Sequence, residues 1–141
     1  MENVAEGGRP DAWTTTELPV RVLHIEDDPA IADMYALGLE MRGFEVLRAG
    51  DGFAGVEAAS TCVPDFLVVD IGLPLLDGLE VLDLLRQHPK TADVPAVLLT
   101  ASNPSEYRQR AAELGAEVLL KSEMTPKKLG EAIRRQLGQS G

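Results

Sequence analysis

FLVVD, residues 66–70, is the stretch of sequence that decides the fold, and IGLPLLDG follows it directly at residues 71–78. Its four consecutive apolar residues predict a strand buried on both faces, as in the centre of a parallel sheet. The sequence DGLE at residues 77–80 predicts a capping box that opens the next helix. Asp70 therefore ends a strand just before a crossover, where ligands of open parallel sheets bind.

Length and composition limit the functions that the chain can have. The 141 residues are 45% hydrophobic and 26% charged, which is typical of one globular domain. A formal net charge of −10 disfavours a protein that binds nucleic-acid phosphates. No apolar run approaches the roughly 20 residues of a membrane span. The single cysteine, Cys62, excludes an internal disulfide, fits a reducing cytoplasm and is predicted to be a small buried core residue.

Strand and helix patterns alternate along the first half of the folded part. A strand at 20–25 precedes a helix that begins at Asp28-Pro29 and closes with Gly43 in the left-handed position after its end. The mixed apolar and charged sequence at 44–48 predicts an edge strand, and a helix at about 52–61 follows. His24, within the first strand, is predicted to be a core histidine with its hydrogen bonds satisfied.

The second half repeats the same alternation after the strand that ends at Asp70. A buried strand is predicted at 96–100, and a helix from Asn103-Pro104 to Gly115, with Glu106 at the capping-box position. A fifth strand is predicted at 118–121 and a last helix from Thr125-Pro126.

Five strand–helix units with short crossovers predict an α/β fold. It is a single five-stranded parallel doubly wound sheet, flavodoxin-like with strand order 2-1-3-4-5, and it carries five helices. The domain is predicted to span residues 20–138. Residues 1–19 are interpreted as a mobile N-terminal tail and residues 139–141 as a C-terminal tail.

Polar residues end four of the predicted strands: Glu26 and Asp27 the first, Asp70 the third, Thr100 the fourth and Lys121 the fifth. In this strand order the first and third strands are neighbours, about 4.8 Å apart. Three crowded carboxylates repel one another unless a cation lies among them, and oxygen ligands in a partly open site favour Mg²⁺. A hydroxyl and an ammonium beside an exposed carboxylate favour binding of a phosphoryl group on Asp70.

These motifs resemble the receiver domain of the two-component response regulators, in particular the stand-alone receivers of the chemotaxis type. The acidic loop IEDDP (25–29), the segment from Pro64 to Gly78, the Leu99-Thr100-Ala101 switch sequence and Lys121 all match the family in order. The resemblance covers about residues 20–137.

The resemblance implies a role for each residue of the predicted site. Asp70 would take a phosphoryl group from a phosphohistidine on a sensor histidine kinase or a histidine phosphotransfer protein. Glu26, Asp27, Asp70 and the backbone carbonyl of Gly72 would hold Mg²⁺. Lys121 would pair with the phosphoryl oxygens, and Thr100 would move its hydroxyl toward them.

The resemblance also implies what the protein does. The face formed by helix four, strand five and helix five would change shape and control binding of an unidentified downstream protein. The chain would be a cytoplasmic signalling protein and not an enzyme, because it catalyses only phosphoryl transfer to and hydrolysis from its own Asp70. We expect a monomer or weak dimer that binds neither nucleic acid nor membrane. Met1 and the tail favour a stand-alone receiver over a piece of a longer chain.

Two departures from the family concern the output mechanism. Val118 stands where the family often has an aromatic residue that turns inward, and Ser122 follows the lysine in place of proline. We therefore predict that Thr100 acts on helix four through the loop 101–105, without an aromatic switch. Neither Gly72 nor Ser102 carries an acid or amide that could position an attacking water, so we expect slow-to-moderate self-dephosphorylation.

Two alternatives come from other functional classes. The first is a receiver-like protein-interaction module that works without phosphorylation, and Val118 and Ser122 are its support. The second is a Mg²⁺-dependent phosphatase with an aspartyl nucleophile, as in the haloacid dehalogenases. That class needs a second Asp two residues after the first, and Gly72 occupies this position. A dinucleotide-binding role is disfavoured because no G-x-G-x-x-G follows the first strand.

Overall fold

A computed structural model describes residues 18–139, and within this range five parallel strands form one sheet in the order β2-β1-β3-β4-β5. This order confirms the predicted doubly wound fold. The strands are β1 (Arg21–Ile25), β2 (Glu45–Ala49), β3 (Phe66–Asp70), β4 (Ala96–Thr100) and β5 (Ala116–Leu120). The helices are α1 (Pro29–Glu40), α2 (Gly52–Thr61), α3 (Gly78–Gln87), α4 (Arg108–Glu113) and α5 (Pro126–Gln136). Apart from residues 18, 19 and 139, the two predicted tails lie outside the described residues.

Two hydrophobic cores fill the space between the sheet and its two helical layers. All five residues of β3 and of β4 are buried, as their continuous apolar runs predict for central strands. Alternate strand side chains pack on one side against α2, α3 and α4, and on the other side against α1 and α5. β2 has partly exposed residues, which confirms its predicted place at the edge.

The predicted ends of α1 and the predicted start of α3 are present in the structure. The Asp28 side chain accepts hydrogen bonds from the backbone N–H groups of Ala30 and Ile31, and Asp77 and Glu80 form the capping box of α3. Gly43, at φ 93°, closes α1. Its N–H donates to the Glu40 carbonyl, and the next N–H donates to the Leu39 carbonyl, which is the hydrogen-bond pair of a Schellman motif.

The fourth helix differs from the prediction. Asn103 has a left-handed backbone, φ 47°, and its side chain makes no capping hydrogen bond, since an N-cap needs an extended backbone. A 3₁₀ turn at Pro104–Glu106 and the short α4 replace the continuous helix predicted to begin at Asn103. The fifth strand begins two residues earlier than predicted and ends one earlier, so Lys121 opens a 3₁₀ turn, Lys121–Glu123.

The prediction for His24 was confirmed for its core position but wrong for its hydrogen bonds, and the prediction of a buried Cys62 was wrong. His24 is buried, with 1% of its surface exposed, but among the described residues neither ring nitrogen has a hydrogen-bond partner. Its ring instead meets Tyr35 edge-to-face, with centroids 5.5 Å apart. Cys62 is only partly buried, because it lies at the end of α2, where Arg21 Nη1 donates to its Sγ at 3.2 Å.

We expect His24→Leu to stabilise the protein by about 1 kcal/mol at pH 7, because it removes buried polar atoms that have no hydrogen-bond partner in the described part of the chain. Burial, and the charges of Lys121 and Arg48, lower the pKa of His24 to about 4. The unfolded chain therefore binds more protons between pH 6.5 and pH 4, and the wild type loses stability as the pH falls through this window. His24→Leu lacks this loss, so the difference in free energy of unfolding between the variant and the wild type is larger at pH 5 than at pH 7 by about 2 kcal/mol.

Urea unfolding at pH 7 and pH 5 measures both effects. His88→Gln is the control, because His88 is exposed and the variant should keep the wild-type pH dependence. Equal pH dependence in His24→Leu and the wild type would contradict the prediction.

No helix among residues 18–139 combines the length and the apolar character needed to cross a lipid bilayer.

Candidate functional site

The register of the sheet brings the candidate side chains to one edge. Ile25 pairs with Val69, so Glu26 and Asp70 follow paired residues on neighbouring strands. On the other side of β3, Asp70 pairs with Leu99, which precedes Thr100. Thr100 in turn pairs with Leu120, the residue before Lys121. The carboxyl ends of β1, β3, β4 and β5 therefore converge, as predicted.

Three carboxylates form a cluster at this edge. One oxygen from each of Glu26, Asp27 and Asp70 lies within 4.8 Å of the others. Glu26 and Asp70 are 3% and 5% exposed, whereas Asp27 is exposed and leaves the cluster open on one side. An all-oxygen donor set with an open side fits a hard divalent cation that keeps several of its waters. The predicted fourth ligand, the carbonyl of Gly72, stays a prediction.

Lys121 links the two buried carboxylates. Its Nζ donates to Glu26 Oε1 at 3.0 Å and to Asp70 Oδ2 at 3.2 Å. The lysine side chain is 21% exposed, so these charge-assisted hydrogen bonds are only partly screened by water. Lys121 therefore supplies the positive charge that two buried carboxylates need.

The pKa values of this group follow from burial and charge. Burial raises the pKa of Glu26, and this effect outweighs the hydrogen bonds from the Asp28 N–H and from Lys121, which lower it. Burial alone would lower the pKa of Lys121. Its hydrogen bond to Glu26 and the charges of Asp70 and Glu26 reverse this and raise the pKa of Lys121, so the ammonium is retained at neutral pH.

The loop after β3 fixes the orientation of Asp70. The Gly72 N–H donates to Asp70 Oδ1 at 3.2 Å, while Oδ2 accepts from Lys121. Gly78 must lack a side chain, because a Cβ there would collide with the backbone carbonyl of Asp70. The carboxylate is thus held between a backbone donor and a cation at the edge of the open cleft.

Thr100 is buried at the same edge, but its hydroxyl is bound within its own loop. Oγ1 donates to the Ser102 carbonyl at 2.8 Å and accepts from the Ser102 N–H at 3.3 Å. The structure therefore brings Glu26, Asp27, Asp70 and Lys121 together and ties Thr100 to the segment that leads to α4.

The end of β2 contributes a wall to the site that the sequence motifs did not predict. A cleft next to Glu26 and Asp27 is also lined by Arg48 and Gly50. Arg48 Nη2 forms an ion pair with Asp33 Oδ1 at 2.7 Å. The predicted strand order could have indicated this wall, because β2 pairs directly with β1 and its carboxyl end lies at the same edge of the sheet.

A five-stranded doubly wound sheet with an acidic cluster and a lysine at its carboxyl edge defines the class of this protein as an α/β domain of the receiver type. The chain belongs to the response regulator receiver domain family, whose model matches residues 22–134. It is thus a receiver domain of the two-component response regulators, a class that signals through phosphorylation.

Curated relatives include transcriptional regulators. The "DNA-binding dual master transcriptional regulator RpaA" of Synechocystis is 39% identical over 97 residues, covering 69% of this chain and 40% of RpaA. The "Phosphate regulon transcriptional regulatory protein PhoB" of Klebsiella pneumoniae is 34% identical over 114 residues, covering 81% of this chain and 50% of PhoB. The chain thus spans half or less of the length of these relatives.

Solved structures support the same assignment. The chemotaxis protein CheY4 of Vibrio cholerae superposes with a TM-score of 0.77 at 26% identity, covering 83% of this chain and 98% of CheY4. A CheY-like receiver domain protein from Methanospirillum hungatei gives a TM-score of 0.76 at 26% identity, with 85% and 94% covered.

Proposed function

We propose that this receiver accepts a phosphoryl group on Asp70, in the cytoplasm, from the phosphohistidine of a sensor histidine kinase or a histidine phosphotransfer protein. One observation carries the proposal: the oxygens of Glu26, Asp27 and Asp70 lie within 4.8 Å of one another, and Lys121 Nζ is 3.2 Å from Asp70 Oδ2. This arrangement surrounds one carboxylate with the groups that an added phosphoryl group needs.

Each residue has a defined part in the transfer. An Asp70 carboxylate oxygen forms the new bond to phosphorus as the phosphorus–nitrogen bond of the donor breaks, and the released imidazole takes up a proton. Lys121 stabilises the negative charge on the phosphoryl oxygens. Glu26, Asp27 and Asp70, with the Gly72 carbonyl, would hold Mg²⁺, which would supply positive charge beside the transferred group. The Gly72 N–H keeps Asp70 oriented.

Incubation with acetyl phosphate and Mg²⁺ tests this function against the phosphorylation-independent alternative. We expect the intact mass of the wild-type chain to rise by one phosphoryl group, and EDTA to prevent the rise. A chain that stays unmodified under these conditions would favour an interaction module that works without phosphate.

Thr100 is proposed to link the phosphoryl group to the face formed by α4, β5 and α5, which we call the output face. Its hydroxyl holds both backbone polar groups of Ser102, and Asn103, next in the chain, has a left-handed backbone. If the hydroxyl turns to a phosphoryl oxygen, Ser102 loses both hydrogen bonds and the segment before α4 is released. Val118 is buried in the same hydrophobic core as Leu114 and Ala111, and the proposed path through Ser102 does not involve an aromatic side chain at position 118.

We predict that Thr100→Val leaves phosphorylation of Asp70 within about twofold of wild type but removes the response of the loop, since it replaces only the hydroxyl with a methyl group of similar size. Hydrogen exchange of residues 101–107, with and without acetyl phosphate, measures the response. Ser102→Ala is the matched control, because Ser102 contacts Thr100 through backbone atoms only, and it should respond like wild type. A phosphorylation-dependent change that persists in Thr100→Val would refute this link.

The downstream partner is proposed to be a protein. The names of RpaA and PhoB describe transcriptional regulators, but this chain matches half or less of their length. Its net charge of −10 disfavours direct binding to a phosphate backbone. The proposed output surface is the face of α4, β5 and α5, because Thr100 is hydrogen-bonded to the segment that leads to α4, and the chain is proposed to be a monomer or a weak dimer.

A further inference from the structure

The cleft beside the carboxylate cluster has a basic wall. Arg48 lines this cleft together with Glu26 and Asp27, and the cleft encloses about 180 Å³, which leaves the guanidinium room to turn. Arg48 reaches the cleft because the next residue, Ala49, pairs with Ile25, which directly precedes Glu26. A side chain that stays charged at every physiological pH therefore shares a cleft with two of the carboxylates proposed to hold Mg²⁺.

Asp27 is the carboxylate of the cluster that Lys121 does not neutralise. Lys121 Nζ donates to Glu26 at 3.0 Å and to Asp70 at 3.2 Å. Asp27 is exposed, and within residues 18–139 its side chain has no hydrogen-bond or ion-pair partner. Coulomb attraction alone would therefore favour an ion pair between Asp27 and Arg48 across the cleft.

Arg48 instead pairs with a carboxylate outside the cluster. Its Nη2 lies 2.7 Å from Asp33 Oδ1. Asp33 is on α1, about one turn after the first helical residue, Pro29, and it is not one of the residues that line the cleft. The two side chains are 42% and 69% exposed, so the ion pair adds little to the stability of the fold. Its main effect is to fix the position of the guanidinium.

We propose that Asp33 keeps Arg48 from pairing with Asp27 and so leaves the Asp27 carboxylate available to Mg²⁺. This inference rests on the proposed function, because it concerns the same metal site. Asp33 is a positioning residue that acts through Arg48 and takes no part in the chemistry at Asp70. Without Asp33, the guanidinium would turn to Asp27 and compete with Mg²⁺ for this carboxylate.

Competition for Asp27 differs in one respect from a general effect of charge. Asp33→Ala removes a negative charge, and this alone would weaken the binding of a nearby cation whether or not Arg48 is present. Competition requires Arg48, so it disappears in an Arg48→Met background. A double-mutant cycle of Asp33→Ala and Arg48→Met therefore separates the two mechanisms.

The experiment measures Mg²⁺ affinity through the stability of the unphosphorylated chain. Urea unfolding at pH 7 is repeated at increasing Mg²⁺ concentrations, and each variant is compared with its own free energy of unfolding in EDTA. The gain in stability gives the dissociation constant by mass action. Asp33→Glu joins the cycle as the variant that keeps the charge. Glu40→Ala is the matched control, because Glu40 is an exposed carboxylate about two turns further along α1.

We expect Asp33→Ala to weaken Mg²⁺ binding about fivefold, equivalent to about 1 kcal/mol, which is the upper range for an exposed ion pair. Arg48→Met, the double variant, Asp33→Glu and Glu40→Ala should all stay within about twofold of wild type. If Asp33→Ala weakened binding equally in the Arg48→Met background, or had no effect, the positioning role alone would be overturned. A wild type that gains no stability from Mg²⁺ would instead overturn the metal site of the proposed function.

Discussion

Asp70→Asn is expected to abolish phosphorylation of the chain by acetyl phosphate and Mg²⁺. An amide has nearly the same shape as the carboxylate, and its oxygen can still accept from the Gly72 N–H, but it is not a nucleophile. Lys121 keeps its hydrogen bond to Glu26, so the rest of the site retains its main ion pair. Intact mass spectrometry should show full modification of the wild type and none of the variant.

Asp83→Asn is the control for this experiment. Asp83 is a surface carboxylate that pairs with Arg110 at 3.4 Å, and its loss should leave phosphorylation unchanged. A phosphoryl group that still appears on Asp70→Asn would assign the acceptor to another residue. If both variants lost phosphorylation equally, the loss would be a general effect of charge, and this result would contradict the assignment of Asp70 as the single acceptor.

The parts of the fold that the sequence predicted correctly are those encoded locally. The continuous apolar runs of β3 and β4 predict strands that are buried on both faces. A capping residue followed by proline, as at Asp28, determines where a helix begins. The convergence of Glu26, Asp70 and Lys121 then follows from strand order alone, because the carboxyl ends of parallel strands meet at one edge.

Other features depend on contacts between distant residues and could not be read locally. The sequence Asn103-Pro104 is typical of a helix N-terminus. In the structure, the Thr100 hydroxyl binds Ser102, and the next residue, Asn103, has a left-handed backbone. Among residues 18–139, the ring nitrogens of His24 have no hydrogen-bond partner, because the ring meets Tyr35 of α1 edge-to-face. Leu75 has a left-handed backbone, φ 68°, in a loop that is closed by the hydrogen bond from the Gly78 N–H to the Ile71 carbonyl, and no local residue pattern encodes this contact.

Lys121→Met is expected to lower the free energy of unfolding by about 2 kcal/mol at pH 7 in the presence of EDTA. Breaking a buried ion pair costs about 3–5 kcal/mol, and the figure is smaller here because the lysine side chain is 21% exposed. The loss leaves Glu26 and Asp70, with side chains 1% and 7% exposed, without the ammonium that both accept from. Urea unfolding of the variant and the wild type measures the difference.

Two conditions should restore stability in Lys121→Met more than in wild type. Mg²⁺ bound at the proposed site would involve the same carboxylates and would raise the free energy of unfolding by mass action. Acid acts through Glu26: burial already raises its pKa, and losing the Lys121 hydrogen bond raises it further. The folded variant then binds a proton that the unfolded chain does not, so its stability rises as the pH falls from 7 toward 5. Lys127→Met, at an exposed lysine, should show neither response, and a Lys121→Met variant as stable as wild type in EDTA would rule out the ion-pair role argued here.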